Sequence, residues 1–396
     1  MPVSRKRKKS QKSAAAARAE RRREHARQVR LAQSLRDLDV NWEQGRVRRI
    51  ELARPHAVEL AGRLMSSPRT GTTLEDELCA ALGPLLTRLG DLPADGGYVG
   101  PDHLAAALAD VLREEAAENQ VGARALAALA AVLPAPLRER TGLTVADPGV
   151  PGEVRWTRDR YGSRFAVVAP FATPEGPVRW YLWDVDACGF TPLPVHTGFY
   201  ASPEEALAAW QVGVGALAAG GTSWRRIDDS LLLADLLPKP EDLGALGGES
   251  AEQHAEYHRC RRLAQVVLGL PSVLSFGTSK TALDAGPERF AAWWRDHADG
   301  PEPANLDDMI EDLFDAWPRI VPDLFDTCSP HRVESVAQQL RDELREEAGG
   351  VLALLPAWVT WLSGRTGLPA ELRERALARI GETTGENSAI HARVVE

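Results

Sequence analysis

The sequence predicts a mainly α-helical, multidomain protein with a small central α+β unit made of an antiparallel sheet and a helix. Three observations lead to this prediction. The chain has 396 residues, which corresponds to two or three domains of about 100–200 residues each. Apolar residues recur at helical spacing towards both ends of the chain. Aromatic and β-branched runs with strand periodicity occupy the middle.

The predicted organisation has five parts. They are a basic arm over residues 1–30, a helical domain over 31–146, the α+β domain over 147–222, a second helical domain over 223–381 and a tail over 382–396. The first part of the arm, residues 1–13, contains almost no apolar side chains, so we expect it to be disordered in isolation. Pro and Gly in residues 147–153 indicate the linker before the α+β domain.

The N-terminal half is predicted to be helical. Four apolar residues share one helix face, namely Leu31, Leu35, Leu38 and Trp42. They predict a helix from about residue 14 to residue 44, ended by Gly45. Further along, we expect Thr73 and Asp102 to cap two amphipathic helices, because their side chains can accept hydrogen bonds from free backbone N–H groups. A third helix is expected over residues 121–133, before Pro134.

The central unit is predicted to have the order β-β-β-(β)-α. Four runs carry strand signals, at residues 154–157, 164–168, 178–183 and 191–200. Turn residues fill the segment 173–177 between two of these strands. Ser202 is the expected cap of the following helix, with Pro203 at its first position and Glu205 at its third.

The C-terminal part is predicted to be helical again. Asn305 is expected to cap a helix over residues 306–317 whose apolar residues form one stripe. Ser329 and Pro330 open the next helix, and residues 351–362 form a more uniformly apolar one. A last helix is predicted from Ala370 to Ile380, followed by Gly381.

Cysteine usage and hydropathy restrict the class of protein. The four cysteines lie far apart and form no CxxC pair, so we expect reduced, buried thiols and no disulfide framework. No apolar stretch of a signal peptide follows the basic N-terminal segment. The longest apolar stretches do not reach the roughly 20 residues that span a bilayer. We therefore expect a soluble, cytoplasmic protein with no membrane partner. Its richness in Ala, Leu, Arg and Gly is typical of a high-GC bacterium.

The segregation of charge is the strongest functional signal. Residues 1–30 contain twelve Lys or Arg and two Glu, a net charge of +10, whereas the whole chain is at −9. The remaining 366 residues therefore carry −19. Clustered cations bind phosphates and release counterions without reading base sequence, so we predict nucleic-acid binding. The predicted phosphate-contacting residues are Arg5, Lys6, Arg7, Lys8, Lys9, Lys12, Arg18, Arg21, Arg22 and Arg23.

Two other functions stay open. The protein could be an interaction scaffold whose arm docks on an acidic protein surface, its own or a partner's, and residues 308–315 are a candidate dock. It could instead be an enzyme with no recognisable motif. The leading hypothesis is a non-enzymatic accessory protein.

Two clusters could carry chemistry, but each has a structural explanation. His254 and His258 lie four residues apart, a spacing that can bind zinc, and Cys260, Cys328 and His331 could complete such a site. Because the pairs are loose, we assign no metal ligand and no cofactor, and we leave their convergence open. The acidic residues 307–315 could hold Mg²⁺, but the solvated face of an amphipathic helix explains them better.

The aromatic segment 180–183 could stack nucleic-acid bases, with neighbouring arginines on the same sheet. The alternative is that these rings fill the core between the sheet and a helix. Because side chains alternate between the two sides of a strand, we expect one side of this sheet to be buried and at most the other to be available for binding.

Two stretches resemble modules of uncharacterised proteins from high-GC bacteria. Residues 158–210 carry the motifs YGSRFAVVAPF, WYLWDVDACG and GFYASPEEALAAW, and residues 306–380 carry DLFDAWPR, LLPAWVTWL and RTGLPAEL. The second stretch is similar to a C-terminal helical module found in proteins some of which are plasmid-related. The resemblance covers about a third of the chain. It implies a bacterial setting and assigns no functional residue.

Overall fold

The computed structural model of the protein describes residues 43–90, 99–173, 176–238, 254–274, 286–298, 301–318 and 321–384. In this part of the chain, most residues are helical and one five-stranded antiparallel sheet is present. The predicted fold class, mainly α with a small α+β unit, is therefore confirmed. Among the described residues, no helix is both long enough and apolar enough to cross a membrane.

The chain forms two compact units. Of the described residues, the first unit contains those from 43 to 67 and from 81 to 126, and the second contains those from 68 to 80 and from 127 onwards. The predicted limits at residues 30, 146, 222 and 381 stay predictions.

The first unit contains helix α1 over residues 43–66, part of α2 (Gly71–Gly90), α3 (Pro101–Ala116) and part of α4 (Gln120–Val132). Gly45 does not end a helix as predicted, because α1 continues through it for another five turns. The buried face of α1 consists mainly of small and medium apolar residues, namely Ala53, Ala57, Leu60, Ala61 and Leu64. The alanines explain why this helix escaped the sequence analysis.

Neither Thr73 nor Asp102 caps its helix as predicted. Helix α2 begins at Gly71, two residues before Thr73, and Gly71 has a positive φ of 51° that favours glycine. Helix α3 has Gly100 as its N-cap in place of Asp102. There the Gly100 N–H donates to Nδ1 of His103 at 3.0 Å, so a histidine side chain satisfies the backbone group.

The sheet belongs to the second unit. Its strands are β1 (Arg155–Arg158), β2 (Arg164–Phe171), β3 (Arg179–Asp186), β4 (Leu193–Tyr200) and the short β5 (Arg225–Arg226). The strand order is β4-β3-β2-β1-β5, and every pairing is antiparallel. The predicted strands match β1 and β4 to within two residues at each end, whereas β2 and β3 each extend three residues beyond their predicted ends.

Both faces of the sheet are covered. Helix α6 (Pro203–Val214) packs on one face, where Trp210 is fully buried. The other face meets α8 (Ser230–Leu236) and α9 (His254–Leu268). One side of the sheet is buried as expected, and α6 covers the side that was left open as a binding surface. Enclosure on both faces also explains why β2 is buried along nearly its whole length instead of alternating.

The remaining helices of the second unit are α5 (Ala135–Thr141), α7 (Ala216–Ala219), α10 (Pro271–Leu274), α11 (Pro287–His297), α12 (Leu306–Ala316), α13 (Pro330–Leu344), α14 (Ala348–Thr366) and α15 (Ala370–Thr384). Helices α11 to α15 share an aromatic core centred on Trp358, whose ring contacts Phe290, Trp317 and Phe325.

Of the three caps predicted after β4, two hold. Ser202 accepts from the Glu205 N–H at 3.1 Å, and Ser329 accepts from the Arg332 N–H at 3.2 Å. Asn305 precedes α12 but makes no side-chain cap.

A buried ionic cluster joins α2, α9 and the sheet within the second unit. The Arg259 side chain is 2% exposed, and its Nη1 donates to Oδ1 of Asp76 at 2.8 Å. Its Nη2 donates to Glu256, which also accepts from the Tyr181 hydroxyl. The second oxygen of Asp76 accepts from Arg179. The buried guanidinium therefore has opposite partners in the partly buried Asp76 and Glu256, which offsets the cost of removing it from water.

We predict that Arg259→Met destabilises the second unit by about 3–5 kcal/mol, because it removes the cation paired with the partly buried Glu256 and one of the two cations paired with Asp76. Urea unfolding followed by tryptophan fluorescence measures this, since every tryptophan except Trp42 lies in the second unit. Arg295→Met is the matched control. Arg295 also binds two carboxylates, of Glu302 and Asp307, but at the exposed surface, so its loss should leave the midpoint nearly unchanged. Equal midpoints for the two variants would contradict the prediction.

Candidate functional site

A pocket of about 690 Å³ opens beside the sheet in the second unit. It lies where the β1–β2 turn, the end of β3, the junction between α6 and α7, the start of α13 and helix α15 come together. The polar residues in its wall are Asp159, Tyr161, Ser163, Arg164, Asp186, Cys188, Ser329, His331 and Arg375. A concave site with a few convergent polar groups is the usual form of a small-ligand site.

Three side chains converge in the wall of this pocket. Oδ2 of Asp186 lies 2.8 Å from Nδ1 of His331, and one ligand atom from each of Asp186, Cys188 and His331 lies within 4.8 Å of the other two. The Asp186 and Cys188 side chains are largely buried, whereas the His331 side chain is 66% exposed. In the described part of the chain, this is the one group of three His, Cys, Asp or Glu residues that is close enough to share a metal ion.

Two elements of structure bring these residues together. Asp186 ends β3 and Cys188 follows two residues later, and the Cys188 N–H donates to Oδ1 of Asp186 at 2.8 Å. His331 is the second residue of α13. The side chain of the next residue, Arg332, is buried and donates to the carbonyl oxygens of Leu324 and Pro318, which anchors the start of the helix.

Electrostatics favours an ion pair at this point. The hydrogen bonds to Asp186 and Cys188 raise the pKa of His331 to about 10. Burial alone raises the pKa of Asp186, but the hydrogen bonds from His331 and from the Cys188 N–H outweigh it and lower that pKa to about 2. Solvent weakens this pair, because the imidazole is largely exposed.

The wall of the pocket also holds a buried carboxylate with a different role. Oδ1 of Asp159 accepts from the N–H groups of Ser163 at 2.8 Å and Arg164 at 3.0 Å, which shapes the turn between β1 and β2. The Ser163 carbonyl in turn accepts from the Ala187 N–H at 2.9 Å. The turn thus holds the backbone between Asp186 and Cys188 in place.

The predicted nucleic-acid-binding residues, from Arg5 to Arg23, lie outside the described residues. The structure therefore leaves them as a prediction from charge alone.

The zinc ligands considered from the sequence do not converge. Cys260 is buried among the apolar residues under the sheet and its sulfur donates to the Tyr257 carbonyl at 3.0 Å, whereas Cys328 is buried in the aromatic core around Trp358. The rings of His254 and His258 contact each other, with centroids 4.6 Å apart. Of the five residues, only His331 belongs to the three-residue group, and its neighbours are Asp186 and Cys188.

Sequence analysis missed Asp186 and Cys188. The available signal was their spacing of two residues at the end of a strand, which places both side chains on one side. This spacing indicates a metal site only when a third ligand, here His331, is known to lie close to both side chains.

The aromatic segment of β3 does not offer bases a stacking surface. Tyr181 and Trp183 are fully buried, and the Trp183 Nε1–H donates to the Cys260 carbonyl at 3.1 Å. Leu182 is fully buried on the other face with Trp210. These rings form core, so the alternative considered from the sequence holds.

The chain matches no protein-family model, no curated protein and no solved structure. The resemblance of residues 158–210 and 306–380 to modules of high-GC bacteria therefore stays a prediction.

Asp159 predicts a specific pH dependence of stability. Burial raises its pKa from 3.8 to about 6, against the lowering effect of its backbone hydrogen bonds. The folded state then binds this proton more tightly than the unfolded state does. The free energy of unfolding should therefore fall as pH rises from about 4 to about 6, by up to about 3 kcal/mol.

Asp159→Asn tests this, because an amide oxygen can accept both backbone hydrogen bonds that Oδ1 accepts now. We expect the variant to match the unmodified chain near pH 4 and to exceed it in stability above pH 6, as measured by urea unfolding across this range. Asp228→Asn, at an exposed position, is the control. Parallel pH profiles for the unmodified chain and Asp159→Asn would contradict the assignment.

Proposed function

We propose that this protein is a cytoplasmic accessory protein of a bacterium that binds nucleic acid through residues 1–30. Binding is independent of base sequence and involves no catalytic step. The observation that carries the proposal is the charge of +10 on this arm beside −19 on the rest of the chain. Such an arm neutralises phosphates and releases their counterions, which provides affinity without base contacts.

The ion pairs of the second unit support this assignment to the arm. Arg164 donates through Nε and Nη2 to both oxygens of Asp184, at 2.6 and 2.9 Å. Arg179 and Arg259 share Asp76 in the buried cluster. Phosphates would have to displace these carboxylates to reach the three arginines, and Arg259 is also buried.

A second candidate function is a protein-interaction scaffold, and one surface favours it. Helix α12 buries Leu306, Met309, Ile310 and Leu313 and exposes its acidic residues on the opposite side. The exposed carboxylates are those of Asp307, Asp308, Glu311, Asp312 and Asp315. This confirms the predicted solvated face and provides an acidic surface that a basic arm could bind.

We predict that the full chain binds generic duplex DNA with a steep salt dependence. If the arm neutralises five to eight phosphates, log K should fall with log salt at a slope of about −4.5 to −7. A chain beginning at Leu31 should lose most of this affinity and most of the slope. Fluorescence anisotropy with labelled duplexes of two unrelated sequences, and with RNA, measures both quantities.

A triple variant separates the two candidates. Asp308→Asn, Glu311→Gln and Asp312→Asn together neutralise the acidic face of α12 and leave its buried stripe intact. Nucleic-acid binding that persists in this variant and disappears on removal of residues 1–30 supports the proposal. The scaffold function is the better explanation if the full chain binds no nucleic acid at low salt and instead self-associates through the arm and this face. Equal DNA binding by the full and shortened chains also overturns it.

A further inference from the structure

We propose that Asp186, Cys188 and His331 form a zinc(II) site with one coordination position open to the pocket. The site is independent of the basic arm and of the proposed nucleic-acid binding.

The donor set suits zinc. A thiolate, an imidazole and a carboxylate are the three ligand types that bind Zn²⁺ in proteins. The sulfur ligand disfavours the hard cations Mg²⁺ and Ca²⁺, which prefer oxygen ligands only. Three protein ligands with a free fourth position are typical of a zinc ion that exchanges a bound ligand, whereas structural zinc has four protein ligands.

The geometry is close to that of a bound ion. The three donor atoms lie within 4.8 Å of one another, and ligands on a tetrahedral zinc ion with bonds of 2.0–2.3 Å are about 3.5 Å apart. The 2.8 Å between Nδ1 of His331 and Oδ2 of Asp186 is shorter than this, and the exposed imidazole can turn to lengthen it. The backbone positions of Asp186 and Cys188 are already set by the hydrogen bond between them and by the Ala187 N–H bond to Ser163.

The same distances argue against a nucleophilic Cys–His–Asp relay. In a relay the imidazole separates the carboxylate from the nucleophile, and two hydrogen bonds across the ring place them roughly 7 Å apart. Here an Asp186 oxygen and the Cys188 sulfur are themselves within 4.8 Å. The Cys188 N–H, which could stabilise an oxyanion, is also occupied by Oδ1 of Asp186. The ligand atoms of Asp186, Cys188 and His331 are therefore mutually close, as around a metal ion, and are not arranged in the sequence that a relay requires.

The neighbouring groups complete the site. Oγ of Ser329 lies 2.9 Å from the Cys188 sulfur, and it accepts from the Arg332 N–H, so its own proton can be donated to the sulfur. Such a hydrogen bond orients a thiolate ligand. The wall of the same pocket holds charges of both signs, those of Arg164, Arg375 and Asp159, and Arg164 is paired with Asp184. A water molecule is the expected fourth ligand.

The test uses the full chain, stripped with a chelator and then titrated with Zn²⁺ against a chromogenic competitor. We expect one high-affinity zinc ion per chain. Cobalt(II) in place of zinc should give the near-ultraviolet charge-transfer absorption of a cobalt–thiolate bond. Cys188→Ser should abolish this band, and Cys188→Ser, His331→Gln and Asp186→Asn should each weaken zinc binding by at least about 100-fold, more than the loss of an outer-shell partner does. His297→Gln, at an exposed position at the end of α11, is the control and should bind zinc as the unmodified chain does.

Alkylation of the unmodified chain provides a second readout that does not depend on any variant folding. Bound zinc should protect Cys188 from iodoacetamide, as read by peptide mass spectrometry. The proposal is overturned if the unmodified chain binds neither zinc nor cobalt, or if Cys188 reacts at the same rate with and without zinc. Undiminished zinc affinity in Cys188→Ser and His331→Gln would also overturn it.

Discussion

The buried guanidinium of Arg259 is the constraint on which the second unit depends. It lies against the rings of Tyr181 and Phe199 and bonds to carboxylates from α2 and from its own helix. A charge at this depth is tolerated only while each partner stays in place. These bonds fix the position of α9 relative to the sheet and to residues 71–80. The neighbouring Glu75, whose pKa is raised by burial, is 3.9 Å from both Arg259 and Arg262 and extends the same cluster.

Coverage of the sheet on both faces determines where a site can form. Helix α6 occupies one face, and α8 and α9 occupy the other, so the central strands β2 and β3 are core. The pocket opens beside them, near the end of β3, where the start of α13 approaches. The pocket and the group of Asp186, Cys188 and His331 lie at that margin. The zinc site and the nucleic-acid-binding arm are therefore separate proposals about separate parts of the chain.

Sequence reasoning succeeded for features determined within a few residues. The stripe of α12 and the caps at Ser202 and Ser329 were predicted from periodicity and from one capping side chain each. It failed at Gly45, where the packing of α1 outweighs the low helix propensity of one glycine. It left open whether His331 meets Cys328, and the structure separates their side chains, because Cys328 is buried in the aromatic core around Trp358 whereas His331 is exposed.

By itself, the sequence determined the fold class, the types of most elements and the separation of a basic arm from an acidic body. Helical and strand periodicity are local properties and net charge is an additive one, so both can be evaluated directly along the sequence. Only the tertiary structure decided which polar residues meet. Cys188 and Ser329 are 141 positions apart, and Asp76 and Arg259 are 183 apart. Such contacts depend on how several packed elements orient one another, and no spacing in the sequence encodes that orientation.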